Sequence, residues 1–126
     1  MDGLTINEAA ETTGWSPRML RYLESVGLIQ PPRTGSGYRK FGPAELQRLR
    51  TLRELLGRFD CGLSDVAFAK RMREDEGLRQ ALDTWFDTAP SRPEGVSTDG
   101  WLSWEQEKHQ RLLGLTGPSP TSMEAA

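Results

Sequence analysis

Residues 16–41 read SPRMLRYLESVGLIQPPRTGSGYRKF, and no other stretch restricts the fold as much. Ser16 followed by Pro17 supplies an N-cap and a first-turn proline, so a helix starts there. Met19, Leu20, Leu23 and Val26 recur at i, i+1, i+4 and i+7, which gives that helix a buried face, and Gly27 ends it. Pro31 and Pro32 forbid continuation, and Arg33 to Phe41 reads as a two-stranded hairpin turning at Gly35 to Gly37. The helix is short enough to enter a DNA major groove. The hairpin carries Arg33, Arg39 and Lys40 where a phosphate backbone would pass.

The flanking sequence completes a small helical domain. Thr5 with Glu8 makes a capping box for a helix whose Ile6, Ala9 and Ala10 form a small apolar face, stopping near Thr13 and Gly14. With the helix from Ser16 this predicts a helix-turn-helix, and the hairpin would be its wing. Gly42-Pro43 with Glu45 opens a third helix, which Gly57 closes. Its Leu46, Leu49, Leu52, Leu55 and Leu56 face the core, while Arg48, Arg50 and Arg53 lie elsewhere. Ser64 caps a fourth helix, with Asp65 near its positive end and Val66, Ala67 and Met72 along its face. Leu78, Leu82, Trp85 and Phe86 define an amphipathic helix from Glu76 to Asp87, with little left to pack on in so small a domain. A linker at 89–100 follows, then a last helix marked by Trp101, Trp104, Leu112 and Leu115.

The expected fold is therefore mostly α: a winged helix-turn-helix over residues 1–73, helices and a two-stranded hairpin together, with additional C-terminal helices over 74–115. Residues 116–126, rich in Gly, Pro and Ser, are expected to be disordered.

Charge is distributed unevenly along the 126 residues. Residues 1–58 hold nine Arg and Lys against six Asp and Glu, whereas residues 59–126 hold seven against twelve. A basic front half and an acidic back half suit a DNA-contacting domain with a separate oligomerising or effector segment. No apolar run approaches a membrane span, and the opening MDGLTINEAAE has no leader pattern, so a cytoplasmic, nucleoid-associated protein is expected. One cysteine, Cys61, and one histidine, His109, do not make a clustered metal site by themselves. His109 is placed on a solvated face among Glu105, Glu107 and Lys108. No nucleophile with a base, no paired carboxylates and no phosphate loop stand out, so neither an enzyme nor a cofactor is expected.

The pattern T-I-x-E-A-A, then S-x-R-x-L-R-Y-x-E-x-x-G-L-I, then P-x-R-x-x-x-G-Y-R-x-F, resembles the MerR family of bacterial transcription regulators over residues 4 to 72. The resemblance implies a sequence-specific regulator that binds double-stranded DNA at a promoter as a homodimer, in contact with RNA polymerase. It implies that the helix from Ser16 reads the groove, that Arg18 reaches base edges, that Arg21 and Tyr22 hold the flanking backbone, and that Tyr38, Arg39 and Lys40, with Arg33, clamp phosphates.

The residues themselves leave alternatives open: Arg21 paired with Glu24, Tyr22 half-buried, or Tyr38 with Phe41 filling the inner face of the hairpin. Leu78, Leu82, Trp85, Phe86, Trp101 and Trp104 are assigned to dimerisation or to an effector. They either line a pocket or bury the two terminal helices against each other or a second chain. The family's long dimer helix is here replaced by two short helices and a linker, which leaves activation or repression open. Metal-responsive members carry cysteines near the end of the dimer helix, and Cys61 lies upstream of it, so metal sensing is not expected. Two further readings are an excisionase-like recombination directionality factor and a protein-interaction adaptor built on the winged helix.

Overall fold

In the computed structural model residues 3–114 are described, and among them six helices carry the fold: α1 (Ile6–Thr13), α2 (Pro17–Ser25), α3 (Pro43–Arg58), α4 (Asp65–Glu74), α5 (Glu76–Asp87) and α6 (Trp101–Leu113). Each start has a local cause. The Thr5 hydroxyl accepts from Glu8 N while the Glu8 carboxylate accepts from Thr5 N, and Ser16, Ser64 and Asp75 accept from the third residue of α2, α4 and α5. Caps of this kind contribute about 1 kcal/mol each. Gly14 ends α1 in the left-handed region at φ 81°, where any other residue would be strained. A side chain there would also meet Leu113 and Arg53.

The helix α3 is the axis of the molecule. Its Leu46, Leu49, Leu52, Leu55 and Leu56 are buried together with Ala9, Ala10, Met19, Leu20 and Leu23 of the first two helices. Full burial of one such leucine is worth about 1.5–3 kcal/mol before the cost of ordering it. Trp15, in the turn between α1 and α2, is buried and donates Nε1–H to the Leu49 carbonyl at 3.1 Å, which fixes the first two helices to the third.

The structure departs from the sequence expectations in several places. The hairpin is a turn at Thr34–Gly37 with a single antiparallel bridge, Arg33 to Arg39, and no strand is formed among the described residues. Lys40 N donates to Pro32 O, but Pro32 has no N–H to return the bond, so the ladder stops. The far arm is instead tied to the N-terminus by reciprocal bonds between Leu4 and Phe41. Gly57 lies inside α3, which runs on to Arg58. Val26 and Val66 are largely exposed, and α4 buries Phe68 in place of the expected Val66 face.

The C-terminal helices differ more. The helix α5 does have something to pack on: it lies against α3 and α4, with Leu78, Leu82 and Trp85 in the same core. The helix α6 folds back on α1 and α3, so α5 and α6 flank α3 and do not bury against each other. The intervening segment 89–100 is irregular and pinned to α3: Gln47 donates to Ser91 O at 2.6 Å and accepts from Ser91 N at 2.9 Å. Leu115 and the tail 116–126 lie outside the described residues.

Candidate nucleic-acid interface

The face formed by α2, the hairpin and the start of α4 carries the basic residues singled out in the sequence. The Ser16 hydroxyl is occupied in capping, accepting from Met19 N at 3.0 Å. Two residues on, Arg18 projects into solvent with its side chain 80% exposed, and its Nε donates to Asp65 Oδ2 of α4 at 3.0 Å. Arg21 is exposed and makes no ion pair among the described residues, so the Glu24 pairing does not form. Tyr22 is half-buried and meets the Phe68 ring edge-on at 6.1 Å, which locks α2 against α4.

Glu24 instead organises the hairpin. It accepts from Arg33 Nη2 at 3.1 Å and from Arg39 Nε, closing the hairpin base onto α2. Burial by itself would raise this carboxyl, but the hydrogen bond and charge of Arg39, with those of Arg33, outweigh it and hold the group below its ordinary value. Arg33 spends its other terminal nitrogen on the Gly37 carbonyl at 3.0 Å, so both ends of its fork are engaged within the chain. Arg39 is held by Nε and keeps both terminal nitrogens unbonded among the described residues. Tyr38 is 72% exposed and does not fill the inner face, which Phe41 alone occupies. Lys40 is half-buried, its stem against Gly3.

Between these parts runs a cleft walled by Arg21, Arg33, Tyr38 and Arg39, with Thr5 to Asn7 at the start of α1 on the other side. Guanidinium forks, a phenol and the positive end of a helix converge there. That donor set matches the oxygens of a phosphodiester.

The residues assigned to dimerisation or an effector are dispersed. Leu78, Leu82 and Trp85 are buried in the chain's own core, and Trp85 Nε1 donates to Thr51 at 2.8 Å. Phe86 is half-exposed beside Arg48, whose guanidinium lies 4.2 Å above the Trp85 ring. On the opposite flank Trp101 donates to Glu105, and Trp104 sits between Arg50 and Lys108.

The helix α6 also holds two polar residues whose burial the sequence did not reveal. Glu105 is fully buried and bonded by Arg50 Nε at 3.0 Å and Nη2 at 3.3 Å, by Trp101 at 3.2 Å and by Gln47 at 3.4 Å. His109, expected on a solvated face, is fully buried and within 2.8 Å of the Leu46 carbonyl. A carbonyl only accepts, so Nε2 carries the proton, and Nδ1 is left without a partner. Burial lowers this imidazole's pKa, against the opposing pull of the Leu46 carbonyl and Glu105. Cys61 is buried in the α3–α4 loop, and that burial raises its thiol.

Trp15, Glu24, Asp65, Glu105 and His109 are the residues whose structural roles the sequence reading missed. Trp15 carried a usable signal, a large aromatic inside a three-residue turn. Glu24 meets partners nine and fifteen residues away, beyond any helical spacing.

A short capped helix-turn-helix followed by a basic hairpin places the chain among helix-turn-helix regulatory proteins. Residues 4–77 match the MerR HTH family of regulatory proteins, and the chain belongs to that family. It is 45% identical over 85 residues to the heavy metal-dependent transcription regulator 2 of Rhizobium meliloti (strain 1021), covering 67% of this chain and 49% of the relative. It is 39% identical over 54 residues to the HTH-type transcriptional regulator HmrR of Rhizobium leguminosarum bv. viciae, 43% of this chain and 42% of the relative. It is 33% identical over 75 residues to the HTH-type transcriptional regulator TnrA of Bacillus subtilis (strain 168), 60% of this chain and 66% of the relative. The chain thus spans about half the length of the first two. No solved structure matches it.

Proposed function

We propose that this chain is a transcription regulator that binds double-stranded DNA at a promoter, with α2 in the major groove and the hairpin on the adjacent backbone. The observation that carries the reading is the cleft of Arg21, Arg33, Tyr38 and Arg39 beside α2, next to the exposed Arg18. Arg18 contacts base edges, Ser16, Arg21 and Tyr22 set the register of α2 on the duplex, and Tyr38, Arg39 and Lys40 hold phosphates. Arg33 contributes by bracing the hairpin.

Regulation by a homodimer, with RNA polymerase contact at the promoter, belongs to the same proposal. Among the described residues of α5 and α6, Phe86 and Leu112 offer exposed apolar surface to a second copy, because Leu78, Leu82 and Trp85 are used within the chain. Two relatives are named for heavy-metal dependence or as HmrR, and the residues of this chain do not fit a metal-sensing role. Its one cysteine is buried in a loop, its one histidine is spent on Leu46, and no group of three or more His, Cys, Asp or Glu clusters among the described residues.

The test is fluorescence anisotropy of the protein on a duplex from upstream of its own gene, against a scrambled duplex, across a salt series. Sequence-dependent binding that weakens steeply with salt is the expected result. Equal, salt-insensitive binding to both, or none at low salt, would overturn the proposal.

A further inference from the structure

We infer that Asp65 is a positioning residue for base readout: it grips Arg18 through Nε alone and presents the two terminal nitrogens of that guanidinium to a guanine. The inference rests on the proposed placement of α2 in the major groove.

Arg18 has one partner among the described residues, and that partner stands on another helix, forty-seven residues along the chain. The carboxylate is itself held. Asp65 opens α4, which Ser64 caps by accepting from Ala67 N at 3.1 Å, and its second oxygen accepts from Val66 N at 2.9 Å. The helix beneath is fixed to α2 by the Tyr22–Phe68 contact. A long side chain in water would otherwise sample many rotamers, so one bond from a fixed acceptor restricts where its planar fork can point.

The choice of nitrogen matters. A guanidinium held at Nε keeps its Nη1–Nη2 edge for a second planar partner. Guanine is the base that offers two acceptors, O6 and N7, on its major-groove edge, whereas adenine and cytosine present donors and thymine a single acceptor. Arg33 supplies the internal contrast: Glu24 and the Gly37 carbonyl each take one of its terminal nitrogens, so its Nη1–Nη2 edge is already engaged. Asp65 also repels phosphate, so the same carboxylate lowers affinity for every duplex while sharpening discrimination at one base.

The experiment is selection from a randomised duplex library by the full chain, by Arg18→Ala, by Asp65→Ala and by Asp65→Asn, followed by affinities for the best duplex, for its guanine-to-adenine and 7-deazaguanine versions, and for random duplex. Circular dichroism confirms that each variant is folded. The wild type should enrich a motif with one guanine whose preference Arg18→Ala abolishes. Asp65→Ala should reduce preference at that base alone by about tenfold while binding random duplex more tightly. Asp65→Asn keeps an acceptor for Nε and should retain most of the preference. A merely structural role would not move discrimination and non-specific affinity in opposite directions. Unchanged guanine preference in Asp65→Ala, or a uniform loss at every position, overturns the inference. A wild type that enriches no motif overturns the DNA-reading proposal itself, and the inference with it.

Discussion

Two arginine–carboxylate assemblies in this molecule use the same chemistry to opposite ends. At the α3–α6 junction Glu105 is fully buried, and Arg50, Trp101 and Gln47 all turn their donors inward to it. On the face of α2 and the hairpin Glu24 and Asp65 are about one-fifth exposed and hold Arg39 and Arg18 by a single nitrogen each, leaving the terminal nitrogens of both without a partner among the described residues. Saturated donors make a lock, and a carboxylate that takes one donor of several makes a mount. Burial separates the two, because an unpaired charge inside is expensive and an unpaired charge outside is hydrated.

The largest expected effect lies on the buried side. Glu105→Ala leaves Arg50 only the looser Glu54 pair at 3.6 Å and takes the acceptor from Trp101, and it should destabilise the fold by about 3 kcal/mol, the low end for a broken buried pair, read from urea unfolding. A loss no greater than that of Glu24→Gln would erase the distinction between lock and mount. Next come the binding effects, which should exceed any accompanying shift in the unfolding midpoint. Arg18→Ala should cost about 1–3 kcal/mol on the preferred duplex, and Arg39→Ala should weaken all sequences alike and reduce the salt slope by about one.

The pH dependence sharpens the same contrast. The His109 imidazole is lowered from 6.5 in the fold, so the unfolded chain takes up its proton first and stability should fall as pH drops below 6.5. His109→Gln can still donate to Leu46 but cannot titrate, and should remove that slope in thermal melts across pH. Glu24 is lowered from 4.5, so its clasp is complete above that pH and is lost only as pH falls through the depressed value. The smallest effect is that of Glu24→Gln at neutral pH, at most about 1 kcal/mol because the pair is partly exposed. Amide exchange of the hairpin should rise in that variant without a matching change in α3.

What was legible in the sequence follows from the range of the forces involved. Caps, helical periodicity and the proline stop are local, and they place all six helices close to where they lie, with the five leucines of α3 on the core side. The basic residues of α2 and the hairpin were visible as cationic side chains on two consecutive elements. Their clasps were not, because the pairs of Glu24 and Asp65 close across turns and between helices. His109 was misread for a related reason. Its neighbours Glu107 and Lys108 are charged, but a helix residue is buried by what lies across from it, here Leu46 of α3. The hairpin fell short of two strands because Pro32, read as a stop, also removes the donor that a second ladder rung needs.

The fold-back of α6 has a consequence in time. Glu105 and His109 meet α3 across 55 and 63 residues, and Leu113 lies against Gly14 near the start of the chain. During synthesis α2 and the hairpin leave the ribosome long before the segment that closes over their scaffold. The long loop that must then close makes this docking a late and slow step of folding. The N-terminal half therefore spends an interval assembled but unbraced, and the interval ends only when α6 closes onto α1 and α3.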